Sequence, residues 1–187
     1  DHVLARWRRF WSEPHAKRLS VESQIGLFGE LWFLHVWLAP ALGVAQSISA
    51  WRGPYGSRHD FELAGLSFEA KTTSSSNRRV HRINGLDQLS PPTNGRLLLF
   101  SLQLRDEGGA ANSLPELVDA VRRMIGEGYL GSRDSFEASL AAAGYDDAHD
   151  VEYALRWRVV SERLYSVADD CPRLLPSHLA CSLPAAV

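Results

Sequence analysis

Asp60, Glu69 and Lys71 are the side chains in this sequence best suited to chemistry together. They lie in the stretch Arg58-His59-Asp60-Phe61-Glu62-Leu63-Ala64-Gly65-Leu66-Ser67-Phe68-Glu69-Ala70-Lys71-Thr72-Thr73. Two runs of alternating polarity flank Ala64-Gly65, a two-residue hairpin signal. With those two residues as the loop, Leu63 faces Leu66, Glu62 faces Ser67, Phe61 faces Phe68 and Asp60 faces Glu69. Side chains alternate along a strand. One face then carries Phe61, Leu63, Leu66, Phe68 and Ala70, and the other carries Asp60, Glu62, Ser67, Glu69 and Lys71. Directly opposed Cβ atoms sit about 5 Å apart, and like charges so placed are destabilising. A divalent cation would offset the Asp60–Glu69 repulsion, and Lys71 would help. Glu62 is a spare carboxylate on the same face. The plainer alternative is a solvated sheet face with ordinary surface charges.

These groups need an element to back them. Residues 20–39 read as a helix with Ser20 as N-cap, Glu22 at its positive end, and Pro40 stopping it. From Ile25 onward it is apolar nearly all round, which means burial. Glu30 is the only acid in that buried part. A buried carboxylate without a partner is protonated or costly, so the hairpin's metal site or Lys71 is its expected partner. A narrow polar stripe shared with Ser23 is the other way out. Gly26 and Gly29 are expected to let the helix approach the sheet closely.

From Lys71 to Arg82 the chain carries Arg78, Arg79 and Arg82 and no acid. Beside a metal-bearing hairpin this segment is suited to gripping a phosphate backbone; the alternative is a solvated basic loop. Residues 80–83 read as a short strand and residues 85–89 as one helical turn. His81 is either a proton shuttle or structural. Gln88 either contacts substrate or caps its turn.

Asp60, eight intervening residues and then Glu69-Ala70-Lys71 resembles the PD-(D/E)XK nuclease signature, with His59 in place of its Pro. Gln24-Ile25-Gly26-Leu27-Phe28-Gly29-Glu30-Leu31, Asp60-Phe61-Glu62, Phe68-Glu69-Ala70-Lys71-Thr72-Thr73, His81-Arg82-Ile83 and Asp87-Gln88-Leu89-Ser90-Pro91-Pro92 together resemble an uncharacterised bacterial PD-(D/E)XK-motif family associated with restriction and phage defence. The similarity covers most of residues 20–125. It implies a restriction-endonuclease-like α/β sandwich with a mixed central sheet and a metal-dependent endonuclease of DNA. Asp60 and Glu69, with Glu30 and the backbone carbonyl of Ala70, would hold Mg²⁺, with Mn²⁺ as a substitute. Lys71 would serve the attacking water. Arg78, Arg79, His81, Arg82 and Gln88 would face nucleic acid. The rival within the same fold is a DNA-binding or scaffolding subunit of a defence complex that does not cut. A plain interaction domain is the third reading. A homodimer or further defence subunits are the protein partners this implies.

The rest of the chain bounds these expectations. It has 187 residues, 45% of them hydrophobic, with six Trp, enough for a single folded domain over 1–187 with its core at 20–125. The first residue is Asp1, so a fragment of something longer is one reading. A net charge of −2 excludes a generally basic nucleic-acid-binding surface and leaves only a local patch. Cys171 and Cys181 have neither disulfide-framework nor zinc spacing, which points to the cytoplasm. The apolar run 25–39 is too short for a bilayer. Residues 2–12 read as an amphipathic helix, interleaving Trp7 and Trp11 with arginines. Residues 47–51 read as a strand, 96–104 as the central strand, and 153–160 and 163–167 as a strand pair. Ser113-Leu114-Pro115-Glu116 is a capping box opening a helix, and 132–143 is a helix with Gly144 after it. Asp146-Asp147-Ala148-His149-Asp150 is either a second metal site or a solvated loop.

Overall fold

The computed structural model describes residues 17–75, 80–83, 85–127, 129–168 and 171. The expected helix at 2–12, Arg78, Arg79, Cys181 and most of the tail lie outside them.

Ser20 Oγ accepts the Ser23 N–H at 3.1 Å and caps helix α1 (Val21–Trp32). The helix does not stop before Pro40. It runs on through a π-helical segment, Phe33–Leu38, and a closing turn, α2 (Ala39–Leu42). The Ala39 amide bonds to the Leu34 carbonyl, five residues back. That wider turn suits a residue that lacks an N–H and crowds the carbonyl four residues before it. The whole run Val21–Leu42, 22 residues, is long and apolar enough to cross a membrane by length and composition. In the fold its apolar character serves the core, where Phe28, Leu31, Phe33, Leu34 and Leu38 are buried.

Residues 47–51 are not a strand. Gly43, at φ 86°, turns the chain into helix α3 (Val44–Ala50), and Ser47 Oγ donates to the Gly43 carbonyl at 2.8 Å. Ile48 and Trp51 are the large buried apolar residues here. Their separation of three is helical spacing, which outweighs the Ser-Ile-Ser-Ala alternation. Trp51 alone makes a single bridge, to Phe61.

β1 (Phe61–Leu63) and β2 (Leu66–Thr73) pair antiparallel in the expected register, Phe61 with Phe68 and Leu63 with Leu66. Gly65, at φ 73°, supplies the left-handed turn position. β2 runs parallel to β3 (Arg96–Asp106), and β3 antiparallel to β4 (Trp157–Ser166). The strand order is β1-β2-β3-β4, a mixed sheet with β3 inside, as expected. The expected strand pair at 153–167 is one strand. The break in its alternation reflects a bulge where the pairing shifts between Gln103 and Leu104, not a turn. Residues 80–83 are not a strand either; His81 is held to the sheet by its side chain, Nε2 to Ser101 Oγ at 2.7 Å.

Helices α4 (Leu114–Ile125) and α5 (Leu130–Ala142) complete the layer. The capping box of Ser113 and Glu116 is formed, and Gly144 follows α5 at φ 82°. Arg122 joins α4, α5 and the next turn, with Glu137 and Asp147 each 2.8 Å away. The acidic cluster is thereby used structurally: Asp147 holds Arg122, and Asp150 accepts the Tyr145 hydroxyl. α1 and the π segment lie on one sheet face. The Phe33 ring is 5.1, 5.0 and 4.7 Å from those of Phe61, Phe68 and Phe100. Gly29 makes the close approach possible, since a Cβ there would fall 1.7 Å from Thr72 Oγ1. Gly26 meets nothing within 4 Å and plays no such part.

Candidate active site

The site forms where the sheet stops. β1 has three residues and β2 eight, so the later part of β2 has no strand beside it on that edge. Beyond Phe61 the chain turns away, and the Arg52 and Gly53 amides donate to the Asp60 carbonyl at 2.8 and 3.0 Å. The Asp60 side chain takes the place a strand residue would have held: its Oδ2 accepts the Ala70 N–H at 2.8 Å. Asp60 is thus fixed beside Glu69, as the hairpin register required.

Glu69 is 1% exposed, and Lys71 Nζ lies 2.8 Å from its Oε1. Its Oε2 is buried and accepts no hydrogen bond from the described residues. Glu30 reaches the same edge from α1, where Trp51 Nε1 donates to its Oε2 at 2.8 Å. Gly53 packs between the two outer carboxylates. A Cβ on it would lie 2.9 Å from both Asp60 Oδ1 and Glu30 Oε2.

The electrostatics follow from this crowding. Burial and then the Asp60 charge push the Glu30 carboxyl up to about 8, against the pull of Trp51. Burial and the Asp60 charge raise Glu69 to about 7, although Lys71 opposes them. Burial also raises Asp60, opposed by the Ala70 N–H and by Lys71. Three acids sharing one ammonium are undercompensated, and each resists ionisation for that reason.

This donor set fits a hard divalent cation. All its side-chain ligands are carboxylate oxygens, and the orphaned Glu69 Oε2 is a buried acceptor in need of a positive partner. Among the described residues, as they stand, no group of three or more His, Cys, Asp or Glu side chains is arranged to hold a metal ion. An open set suits Mg²⁺, which keeps several waters and is bound through one or two carboxylates plus substrate phosphates.

The structure therefore brings Glu30, Asp60, Glu69 and Lys71 together. Ala70 contributes its amide to Asp60. Glu62 is exposed, and no contact joins it to the other carboxylates among the described residues. His81 sits one strand over: Ser101, which it binds, is the register partner of Lys71. Arg82 is exposed, and Gln88 lies partly buried in the 3-10 turn Leu86–Leu89. Arg78 and Arg79 lie outside the described residues. Sequence reasoning missed Trp51 and Gly53. An indole N–H is a donor only, so a buried Trp was a ready partner for a buried acid, but the strand assigned to 47–51 hid it.

Residues 1–187 match the model of a family described as "Putative PD-(D/E)XK family member, (DUF4420)". The chain belongs to that family. The match spans the whole chain, well beyond residues 20–125, and supports a nuclease-like function and divalent-metal use of the kind PD-(D/E)XK nucleases share. No curated protein and no solved structure matches the chain.

Proposed function

We propose that this PD-(D/E)XK chain is a Mg²⁺-dependent endonuclease that hydrolyses DNA phosphodiester bonds, in the cytoplasm, as part of a bacterial restriction or phage-defence system. The observation that carries this reading is the buried Glu69 paired with half-buried Lys71 beside Asp60 and Glu30, with Glu69 Oε2 unpartnered among the described residues.

Asp60 and Glu69 would hold the cation, with the Ala70 carbonyl as a further ligand and Glu30 as the outer carboxylate. When bound, a divalent ion polarises the phosphodiester and makes water easier to deprotonate. The chain's own groups do the remaining work. Glu69 fixes the Lys71 ammonium through their 2.8 Å contact. Lys71 orients the attacking water and offsets the negative charge that grows on the phosphoryl oxygens. Trp51 and Ala70 hold Glu30 and Asp60 in place, so no reorganisation is needed as the charge develops. Arg82 and His81, with Arg78 and Arg79, are the proposed backbone contacts.

Calorimetry with Mg²⁺ or Mn²⁺ tests the reading, comparing wild type with an Asp60→Asn, Glu69→Gln double variant, alone and with a non-cleavable duplex. Binding that vanishes in the variant is expected. Lys71→Ala is expected to keep the fold and abolish cleavage, and wild-type rates from it would defeat the assignment. The second reading, a subunit that binds DNA without cutting, draws on the lack, among the described residues, of any group of three or more ligating side chains arranged to hold a metal ion. It gains if wild type binds no cation even with duplex present.

A further inference from the structure

Helix α3, the turn that follows it and the start of α5 enclose a cleft of about 800 Å³. Its walls include Trp51, Arg52, Tyr55, Tyr129, Ser132 and Ser139. Two of these are large aromatic side chains left open to solvent: Tyr55 is 53% exposed and Tyr129 56%. The Tyr55 hydroxyl shares a 3.2 Å hydrogen bond with buried Ser139, which fixes the ring. The Arg52 guanidinium lies over one face of the Tyr55 ring, its carbon 5.8 Å from the centroid. Among the described residues of the lining Arg52 is the one charged side chain, and none is an acid. Exposed ring faces beside a cation, with no carboxylate, match a nucleobase and its phosphate.

The cleft and the carboxylate site share the buried Trp51 as a common wall. The Trp51 ring lines the cleft, while its Nε1 donates to Glu30. Gly53 packs on Glu30 and Asp60, and Tyr55 comes two residues later. Two residues of chain reach at most about 7 Å, roughly two base steps of a stacked strand.

We propose that this cleft is a base-binding subsite that takes an unpaired nucleobase from the strand held at the carboxylate site, with Tyr55 and Tyr129 as stacking platforms and Arg52 on the adjoining phosphate. The inference rests on the nuclease reading of the neighbouring site and names its substrate class. A base inside a duplex has both faces covered by its neighbours, so only a base out of the stack can use these rings. The substrate is then a single strand, an overhang or a duplex from which a base is extruded.

The test uses the full chain in EDTA, so that nothing is cut, with oligonucleotides carrying 2-aminopurine in a single strand, in an overhang or in full duplex. Stacking on the tyrosines is expected to quench the unpaired probe and leave the paired one bright. Tyr55→Ala and Tyr129→Ala should each weaken single-strand binding about tenfold, and Tyr55→Phe, which keeps the ring but not its anchor, should weaken it less. Arg52→Gln should lower the salt dependence by about one ion. Tyr129 begins a helix at the surface, so its variant carries the test even if Tyr55→Ala does not fold. Folded variants that bind and quench like wild type overturn the proposal, as does equal binding of paired and unpaired probes. Cleavage that persists without any tyrosine-dependent quench sinks the base site alone. Quench that persists while no nucleic acid is cut with any divalent metal sinks the nuclease reading alone.

Discussion

Without a divalent cation, this protein should lose stability as the pH rises through neutrality. An unfolded Glu ionises near 4.5, whereas the folded chain holds the Glu69 proton up to about 7. Between those values the folded state binds more protons than the unfolded one, so stability falls with rising pH. Once the pH is above both, the cost to the folded state from Glu69 alone is on the order of 3 kcal/mol. For a domain of this size each 1 kcal/mol shifts Tm by about 2–4 °C, so the drop should be roughly 6–12 °C. Glu30, held to about 8, extends the window upward. Thermal melting in EDTA from pH 5 to 8.5 measures this, with Glu69→Gln as control. The glutamine cannot ionise and its Oε1 can still accept from Lys71, so its Tm should fall less across the window. Magnesium should restore the wild type at the alkaline end, by about 2.7 kcal/mol at a hundred times its Kd. A wild-type Tm that stays level across this range in EDTA, or a Glu69→Gln protein with the same slope, would refute the argument that these acids are undercompensated.

Other outcomes follow from the same geometry. Gly53→Ala places a methyl 2.9 Å from Asp60 Oδ1 and Glu30 Oε2; displacing groups at a reacting centre by about 1 Å costs on the order of a hundredfold in rate, so turnover should collapse while circular dichroism stays unchanged. Trp51→Phe removes the donor to Glu30 and should cost about 1–3 kcal/mol by urea denaturation at pH 8.5, where Glu30 is charged, and less at pH 5. Gly29→Ala drives a methyl into Thr72 and should destabilise by about 1–3 kcal/mol, an effect that Thr72→Ala in the same chain, which removes the clashing hydroxyl, should partly relieve.

The hairpin was legible because its register depends on two local signals, the Ala64-Gly65 turn and the period-two pattern, which agree. Glu30 was legible because one acid in an apolar helix demands a partner wherever that helix packs. What failed depended on contacts far along the chain. Pro40 reads as a stop, and only the π turn before it shows how the helix absorbs the ring. Residues 47–51 alternate like a strand, but Gly43 and the burial of Ile48 with Trp51 decide for a helix. In β4 the local pattern reads as two strands because the bulge belongs to the pairing with β3. The link between Glu30 and Trp51 spans 21 positions, and no spacing rule points to it.

The shortness of β1 has a consequence for how such a protein could lose its activity. Three paired residues leave the Ala70 amide to be taken by the Asp60 carboxylate. Were the strand to pair further, a backbone carbonyl would take the Ala70 amide and the Asp60 carboxylate would lose the bond that fixes it. Every residue of the signature would still be present in the sequence. The length of that strand, and not the presence of Asp, Glu and Lys alone, therefore decides whether the Asp60 carboxylate is anchored beside Glu69.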